Sequence, residues 1–456
     1  MRNLLVFMLV LAQAALVPHT ARAAEMTPQK EKELGRRFHL QVAASGAIVD
    51  DPIITGYFRT VTERVLKGAG LKPGQFNFYI IQKSGLNAFA VPGGYIYINT
   101  ETLYNLENEG QLASILSHET AHLTANHFAR RLKAASTTSI ASVAAMLAGL
   151  FVASRGGGSA GALGQALITG GAGAGVQAML ANSREDEAEA DAKGREYLIK
   201  AGYQPRDMYG AFKIMLDKSY HLSPDMPTYL NTHPALTSRL ASTFSEAAQA
   251  PPSPPDPRYL SFRDRVLAGC GDLQRAQSIF SRRLKADPKD HAALHGLGLL
   301  AQRRQNFSQA DQLMRQALAL APERQDYLAD LGDLALKRHQ PAVAKGFYEQ
   351  AQNRLAVLGL ARALELLGDR SRAAPLYDKA VQMEAEDYLP ALELAGRFFG
   401  QIGQRDKGHY YLGRFFAGSG QLDKADFHFR QAAGQFKAQA DRELKILAEI
   451  KKEDRK

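Results

Sequence analysis

The sequence predicts an α+β protein, mainly α, built in two parts: a mixed domain of strands and helices, then a superhelix of paired helices. Three observations lead there. Pro251-Pro252-Ser253-Pro254-Pro255-Asp256-Pro257 can join neither a helix nor an interior strand, so residues 251–257 form a stiff connector between unlike halves. Beyond it the chain repeats with a period of 34 residues. Before it, runs of strand-forming residues alternate with helical periodicity. At 456 residues and 45% hydrophobic content, the chain has material for more than one core.

Arg2, an apolar run from Leu4 to Val17 and Ala21-Arg22-Ala23 follow one another as an export signal does, which assigns residues 1–23 to a cleaved leader. An uncleaved anchor is the competing reading, although the run is short for a bilayer span. Removing Arg2 and Arg22 lowers the formal charge from +10 to +8. That excess favours acidic surfaces, but no basic cluster is interleaved with aromatics, so nucleic acid is not an expected partner. The single cysteine, Cys270, excludes an internal disulfide and is read as a small buried residue.

Residues 24–250 make up the mixed domain. Thr27 to Gln41 and Pro52 to Gly68 read as helices, Phe76 to Ile81 and Tyr95 to Ile98 as strands, and Pro92-Gly93-Gly94 as a turn between them. Asn87, Ala88, Phe89 and Ala90 lead into that turn on a segment suited to substrate, because an extended peptide adds to an open strand edge. A purely structural hairpin fits equally. Glu107 to Leu132 reads as one continuous helix, with Leu112, Ile115, Leu116 and Leu123 at helical spacing. Within it, His118-Glu119-Thr120-Ala121-His122 has the form HExxH. Residues four apart share a helix face, so both imidazoles converge on one cation, and Glu119 lies beside them to take a proton from water.

A catalytic zinc site takes three protein ligands and keeps one position open. His127, five after His122, turns away from that face and is read as a surface or supporting residue. The metzincin pattern fails, because the chain has Ala125 and Phe128 where that pattern needs glycine and histidine. A glutamate from a later helix is the other common solution. Glu187 and Asp191, four apart, share a face, so Glu187 can ligate while Asp191 orients a ligand histidine; a solvated acidic helix start is the bland alternative. Two uncharged runs, Ala134 to Ser154 and Ala160 to Ala181, are diluted by Gly, Ser and Thr. A membrane span, a membrane-touching flap and a buried helical pair all fit them.

Four segments in order, NAFAVPGGYIYINT from Asn87, HETAH from His118, SREDEAEAD from Ser183 and NTHPALTSR from Asn231, resemble the HtpX and CAAX-prenyl-protease type of zinc metallopeptidase, within the gluzincin group. The resemblance covers residues 25–250. It implies one zinc ion per chain held by His118, His122 and Glu187, with Glu119 as general base. It places Asp191 on the aspartate of the family's E-x-x-A-D element and Arg239 on the arginine of the last motif. His233 falls on a histidine that the family keeps at the active site. Two roles are open to it: stabilising the developing oxyanion, or taking the fourth metal position and keeping the resting site latent. Membrane-bound relatives have clear spanning helices, where this chain has only the diluted runs.

Residues 258–456 carry the repeat. Ala276, Ala310 and Ala344 are 34 apart, and each is followed four residues later by Phe280, Met314 or Tyr348. Leu297-Gly298 recurs as Leu331-Gly332, then after a shorter step as Leu360-Ala361 and Leu394-Ala395. Ala373 with Tyr377 and Ala425 with Phe429 continue the pattern, which resembles the tetratricopeptide repeat in about four units. Such hairpins stack into a superhelix with a concave groove. With the leader in front, the architecture is similar to the periplasmic beta-barrel assembly-enhancing subgroup of Gram-negative bacteria, which favours latency for His233. That resemblance implies a periplasmic zinc endopeptidase in quality control and assembly of outer-membrane β-barrels. Its repeat groove would recruit misfolded or assembling outer-membrane proteins and the barrel-assembly machinery; peripheral membrane contact through residues 134–181 stays an open alternative. The competing expectations are a chaperone or scaffold with a silent site, and an integral membrane metalloprotease.

Overall fold

The computed structural model describes residues 27–134, 182–222, 232–249, 253, 256–351, 353–383 and 388–454. The leader expected at 1–23, the apolar runs between 135 and 181 and most of the 251–257 connector lie outside the described residues. Among the described residues, no helix is long and apolar enough to cross a membrane.

The mixed domain begins with α1 (Pro28–Ala44), capped by Thr27, and α2 (Pro52–Gly68), capped by Asp51, whose carboxylate accepts from the amides of Ile53 and Ile54. Each starts on proline, whose missing N–H costs nothing in a first turn. Strands β1 (Asn77–Ile81), β2 (Ala88–Val91) and β3 (Tyr95–Asn99) form one sheet in the order β1-β3-β2. Where the sequence suggests two strands about a turn, the structure has three. β2 and β3 are the antiparallel hairpin, with Ala88 opposite Ile98 and Val91 opposite Tyr95, and β1 runs parallel to β3. Gly93 and Gly94 close the hairpin at φ of 83° and 91°, where side chains are strained.

Strand alternation sorts the layers. Tyr97, Val91 and Ile81 pack with Leu34, Phe38 and Val42 of α1, while Ile96, Ile98 and Ile80 face α2. The chain continues through α3 (Thr100–Asn105), α4 (Glu109–Thr124), α5 (His127–Ala134), α6 (Arg184–Lys200), α7 (Pro205–Leu222) and α8 (Leu236–Gln249). Nearly all of α4 is buried, and Leu112, Ile115 and Leu116 share one core with Ile54, Phe58, Ile96 and Phe212. The single helix expected over 107–132 is therefore two. Asn126 takes a left-handed φ of 53° and breaks it, a conformation asparagine tolerates better than most residues.

The repeats follow as α9 (Pro257–Cys270), α10 (Leu273–Ala286), α11 (His291–Arg303), α12 (Phe307–Leu320), α13 (Gln325–Lys337) and α14 (Pro341–Gln350). They continue as α15 (Arg354–Leu366), α16 (Arg370–Gln382), α17 (Leu389–Gln401), α18 (Arg405–Gly418), α19 (Leu422–Gln431) and α20 (Lys437–Asp454). Ala276, Ala310 and Ala344 are buried, as are Phe280, Met314 and Tyr348. The shorter step in the sequence period has a local cause: α14 has 10 residues where α12 has 14, so the next hairpin starts early.

The array is fastened to the mixed domain at its first helix and again near Gly420. Tyr259, Phe262 and Val266 of α9 belong to the core that contains α2 and α4, and the Tyr259 hydroxyl donates to the Leu103 carbonyl at 3.1 Å. Arg265 donates to Asp51 at 2.8 Å and to Asp330 of α13 at 2.6 Å, with His295 Nε2 2.9 Å from the same Asp330 oxygen. Towards the far end, the backbone at Gly420 lies so close to α1 that a Cβ there would stand 2.3 Å from the Leu40 carbonyl oxygen. Between these contacts, a cleft of about 540 Å³ opens among α2, β1, Tyr388 and Leu389.

Burial works against charge on Asp330, yet Arg265 and His295 hold its carboxyl well below the ordinary range. Arg265→Leu strands that carboxylate, and breaking a buried pair costs about 3–5 kcal/mol. The urea midpoint, followed by tyrosine fluorescence in this tryptophan-free chain, is expected to fall accordingly. His39 stacks on Tyr95 at 5.3 Å with its Nδ1 3.1 Å from the Tyr97 hydroxyl, and burial pushes it from 6.5 down to about 4. The unfolded chain takes up that proton at the higher value, so the contribution is complete above pH 6.5 and lost as pH falls towards 4. Thermal melts on either side of that window are expected to differ less for His39→Phe than for the wild type.

Candidate metal centre

Helix α4 starts at Asn108, whose side chain accepts from the Gln111 amide, and carries His118 and His122 one turn apart into the core. Helix α6 starts in a capping box between Ser183 and Asp186. That start fixes which acids face inward: Glu185 is exposed, whereas Glu187 is fully buried and Asp191 follows one turn later on the same side. Glycine lets the helices touch. A Cβ on Gly194 of α6 would sit 3.0 Å from the His118 Cα. His233 arrives from the segment before α8, tied to α6 by a bond from the Asn182 amide to the Thr232 carbonyl.

These elements bring together His118, His122, Glu187 and His233, one donor atom from each, all within 4.8 Å of one another and all buried. A tetrahedral cation with bonds of ~2.0–2.1 Å has donor–donor edges of about 3.3 Å. Several of the observed separations lie near that value. His118 Nε2 is 3.0 Å from His122 Nε2, 3.5 Å from Glu187 Oε2 and 3.4 Å from His233 Nδ1. Glu187 Oε1 is 3.3 Å from His122 Nε2 and 3.0 Å from His233 Nδ1. Glu119 Oε1 is buried without a hydrogen bond, and Glu187 Oε2 is buried with only the Arg239 charge beside it. Lone pairs crowded this way, with buried carboxylate oxygens among them, fit a cation.

The surroundings fix each group. His118 Nδ1 is 3.0 Å from Asp191 Oδ1, and Arg239 grips Asp191 with Nη2 at 2.7 Å and Nε at 2.8 Å. Arg239 also pairs with Glu187 and lies over the Phe212 ring at 4.5 Å. Glu119 Oε1 is 3.5 Å from His233 Nε2, on the side of that ring away from the ligand cluster. Burial and the Arg239 charge push His118 down, but Asp191 and Glu187 outweigh them and raise it to about 9. Burial holds His122 well below its ordinary value. Burial opposes the Glu187 charge, yet His233 and the hydrogen bonds of three histidines keep its carboxyl well below the carboxylate range.

His127 is not a surface residue. It is fully buried, with Nδ1 2.7 Å from His122 Nδ1 and Nε2 3.2 Å from Glu189 Oε2. Glu189 is held at about 2 by hydrogen bonds from Lys193, Arg130 and His127. As the spacing of five implies, His127 is not among the clustered donors; the break at Asn126 folds it inward onto the outer nitrogen of His122, in the supporting place rather than the surface one. Arg130 and Asn182, whose Nδ2 lies 3.3 Å from His233 Nδ1, carry no sequence pattern that marks them, and Glu189 lies in the SREDEAEAD segment without being singled out by its spacing. Asn87, Ala88, Phe89 and Ala90 are not among the groups touching the cluster. Ala88, Phe89 and Ala90 lie at the sheet's edge, where β2 pairs with β3 alone, and Asn87 just before the strand is tied by its main chain to Thr102; Ala88 and Ala90 pack towards the core of α4 and Phe89 stacks on Tyr97 at 5.3 Å.

Residues 52–246 match peptidase family M48, and residues 293–326 match the tetratricopeptide repeat. The chain carries a family M48 metallopeptidase domain. Relatives extend the likeness into the repeats. The beta-barrel assembly-enhancing protease of Yersinia pestis is 27% identical over 369 residues, 78% of this chain and 74% of the relative. The protein of the same name from Escherichia coli (strain K12) is 26% identical over 373 residues, 79% and 75% of the two chains. A mitochondrial metalloendopeptidase of Schizosaccharomyces pombe matches over 186 residues at 26% identity, 41% and 51% of the two chains.

If Asp191 orients His118, Asp191→Ala lowers metal affinity about 10–100-fold. Chelator competition on the purified variant checks this, and unchanged affinity would remove Asp191 from the site.

Proposed function

We propose that this chain is a zinc endopeptidase exported to the periplasm, acting in the quality control and assembly of outer-membrane β-barrel proteins and held latent by His233. The observation that carries the reading is the set of four buried donor atoms, two histidines, a glutamate and a third histidine, within 4.8 Å of one another. Such a donor set suits zinc. Export rests on the leader pattern over residues 1–23, and the client class on the printed names of the relatives from Yersinia pestis and Escherichia coli. We infer that the chain divides into a peptidase domain at 24–250, a linker at 251–257 and repeats at 258–456, with the repeats recruiting clients and the barrel-assembly machinery.

Zinc, when bound, polarises the scissile carbonyl and acidifies a water molecule. The rest falls to the chain. Glu119 takes the proton at a carboxylate oxygen and returns it to the leaving amine. Asp191 keeps the His118 proton on Nδ1, leaving Nε2 free to ligate, and Arg239 keeps Asp191 in place. The free edge of β2, at Ala88 and Ala90 after Asn87, offers an extended substrate main-chain partners on one side. His233 fills the position that water or substrate needs, so displacement of its ring opens the site.

Glu119→Gln is expected to retain about one zinc per chain while cleavage of an unfolded outer-membrane protein falls by at least ~10²–10⁴-fold. Retained proteolysis in that variant would sink the mechanism. His233→Ala is expected to keep zinc and cleave faster than the wild type; a silent, zinc-loaded variant would instead make His233 a stabiliser of the transition state. A second reading, a chaperone with a silenced site, is favoured by the same His233 contact with the cluster. Full support of β-barrel assembly by Glu119→Gln would select it.

A further inference from the structure

His122 has two ring nitrogens, and one of them faces the cluster. Its Nε2 lies 3.0 Å from His118 Nε2 and 3.3 Å from Glu187 Oε1, so Nε2 is the side that offers a lone pair to a cation. A neutral imidazole that gives up Nε2 in this way carries its proton on Nδ1. That Nδ1 is 2.7 Å from His127 Nδ1. Two ring nitrogens at this distance need one donor and one acceptor, so His122 donates and His127 accepts. His127 then has its own proton on Nε2, 3.2 Å from Glu189 Oε2. Glu189 accepts from Arg130 Nη2 at 2.9 Å and from Lys193 Nζ at 2.9 Å. Donation therefore runs in one direction along the row, from His122 to a carboxylate that two cations hold.

The backbone is shaped to make this contact. Asn126, at φ 53°, ends one helix and starts the next with His127 as its first residue. The turn folds the ring back onto His122, edge to face, with centroids 4.8 Å apart and planes at 78°. The other ligand histidine is served by a shorter arrangement, since His118 Nδ1 meets Asp191 directly. The two metal-facing histidines thus have their outer nitrogens satisfied by different means, one by a carboxylate and one by an imidazole with a carboxylate behind it.

We propose that His127 is a positioning residue for the metal: it holds His122 in the tautomer and ring plane that present Nε2, with Glu189 as its anchor. The inference rests on the metallopeptidase reading above. Its test measures zinc affinity by chelator competition, together with urea unfolding of the metal-free protein. His127→Leu fills the space but accepts nothing, whereas His127→Gln offers an amide oxygen to the His122 N–H. Loss of such a partner weakens metal binding about 10–100-fold. His127→Leu is expected to lose that much and His127→Gln to recover most of it, while their metal-free forms unfold at closely similar urea concentrations. Absence of zinc binding by the wild type overturns the metal reading itself, and this inference with it. Where the wild type binds, equal affinity in His127→Leu removes His127 from the site. An equal loss in both variants overturns the acceptor role and makes His127 a packing residue.

Discussion

A helix with almost no solvent-facing side cannot leave charged or hydrogen-bonding groups unmatched, and α4 carries two imidazoles and a carboxylate through the middle of the core. Unpaired, such groups cost several kcal/mol each in an apolar surrounding. Most of the mixed domain can be understood as the set of partners that removes this cost. Helix α6 supplies Glu187 and Asp191, α8 supplies Arg239, the segment before α8 supplies His233, and the start of α5 supplies His127. What they leave is a shortage of positive charge at the centre, where nitrogen lone pairs and carboxylate oxygens crowd together. A divalent cation completes the electrostatics of the fold as well as its chemistry.

The parts of this arrangement that depend on helical spacing were legible in the sequence. His118 and His122 on one face, and Glu187 and Asp191 on another, follow from the 3.6-residue turn alone. The capping residues Ser183 and Asp186 mark where α6 begins, so the inward face of its acids was also within reach. The position of His127 was not, because one left-handed residue changes the bearing of everything after it, and asparagine is only weakly biased to that conformation. The sheet was half legible. Phe76 to Ile81 and Tyr95 to Ile98 have the branched and aromatic content of strands, but Asn87 to Val91 contains two alanines. Parallel pairing of β1 with β3 leaves no local mark.

The repeats show the same division. Alanine and its bulky partner four residues on report the packing between helices, and those pairs are buried as their spacing demands. Tertiary fastening has no period. Arg265 stands in α9 as one of many arginines in a basic chain, and nothing around it announces that its partners are Asp51 and Asp330. The proline-rich stretch reads as a boundary, yet the aromatic residues just beyond it, Tyr259 and Phe262, are core residues of the domain before it.

That fastening changes how the array responds to stress. Solenoids behave as one-dimensional chains of neighbours, so they fray from their free ends inward. Here the first helix is built into the peptidase core, and the hairpins near Gly420 rest on α1, so the array is closed into a loop through the other domain. Unravelling from the first helix, or inward past Gly420, must break contacts in the mixed domain. Loosening of the repeats and of the scaffold around α4 then becomes one cooperative event, and a partner that pulls on the superhelix exerts its leverage on the catalytic domain.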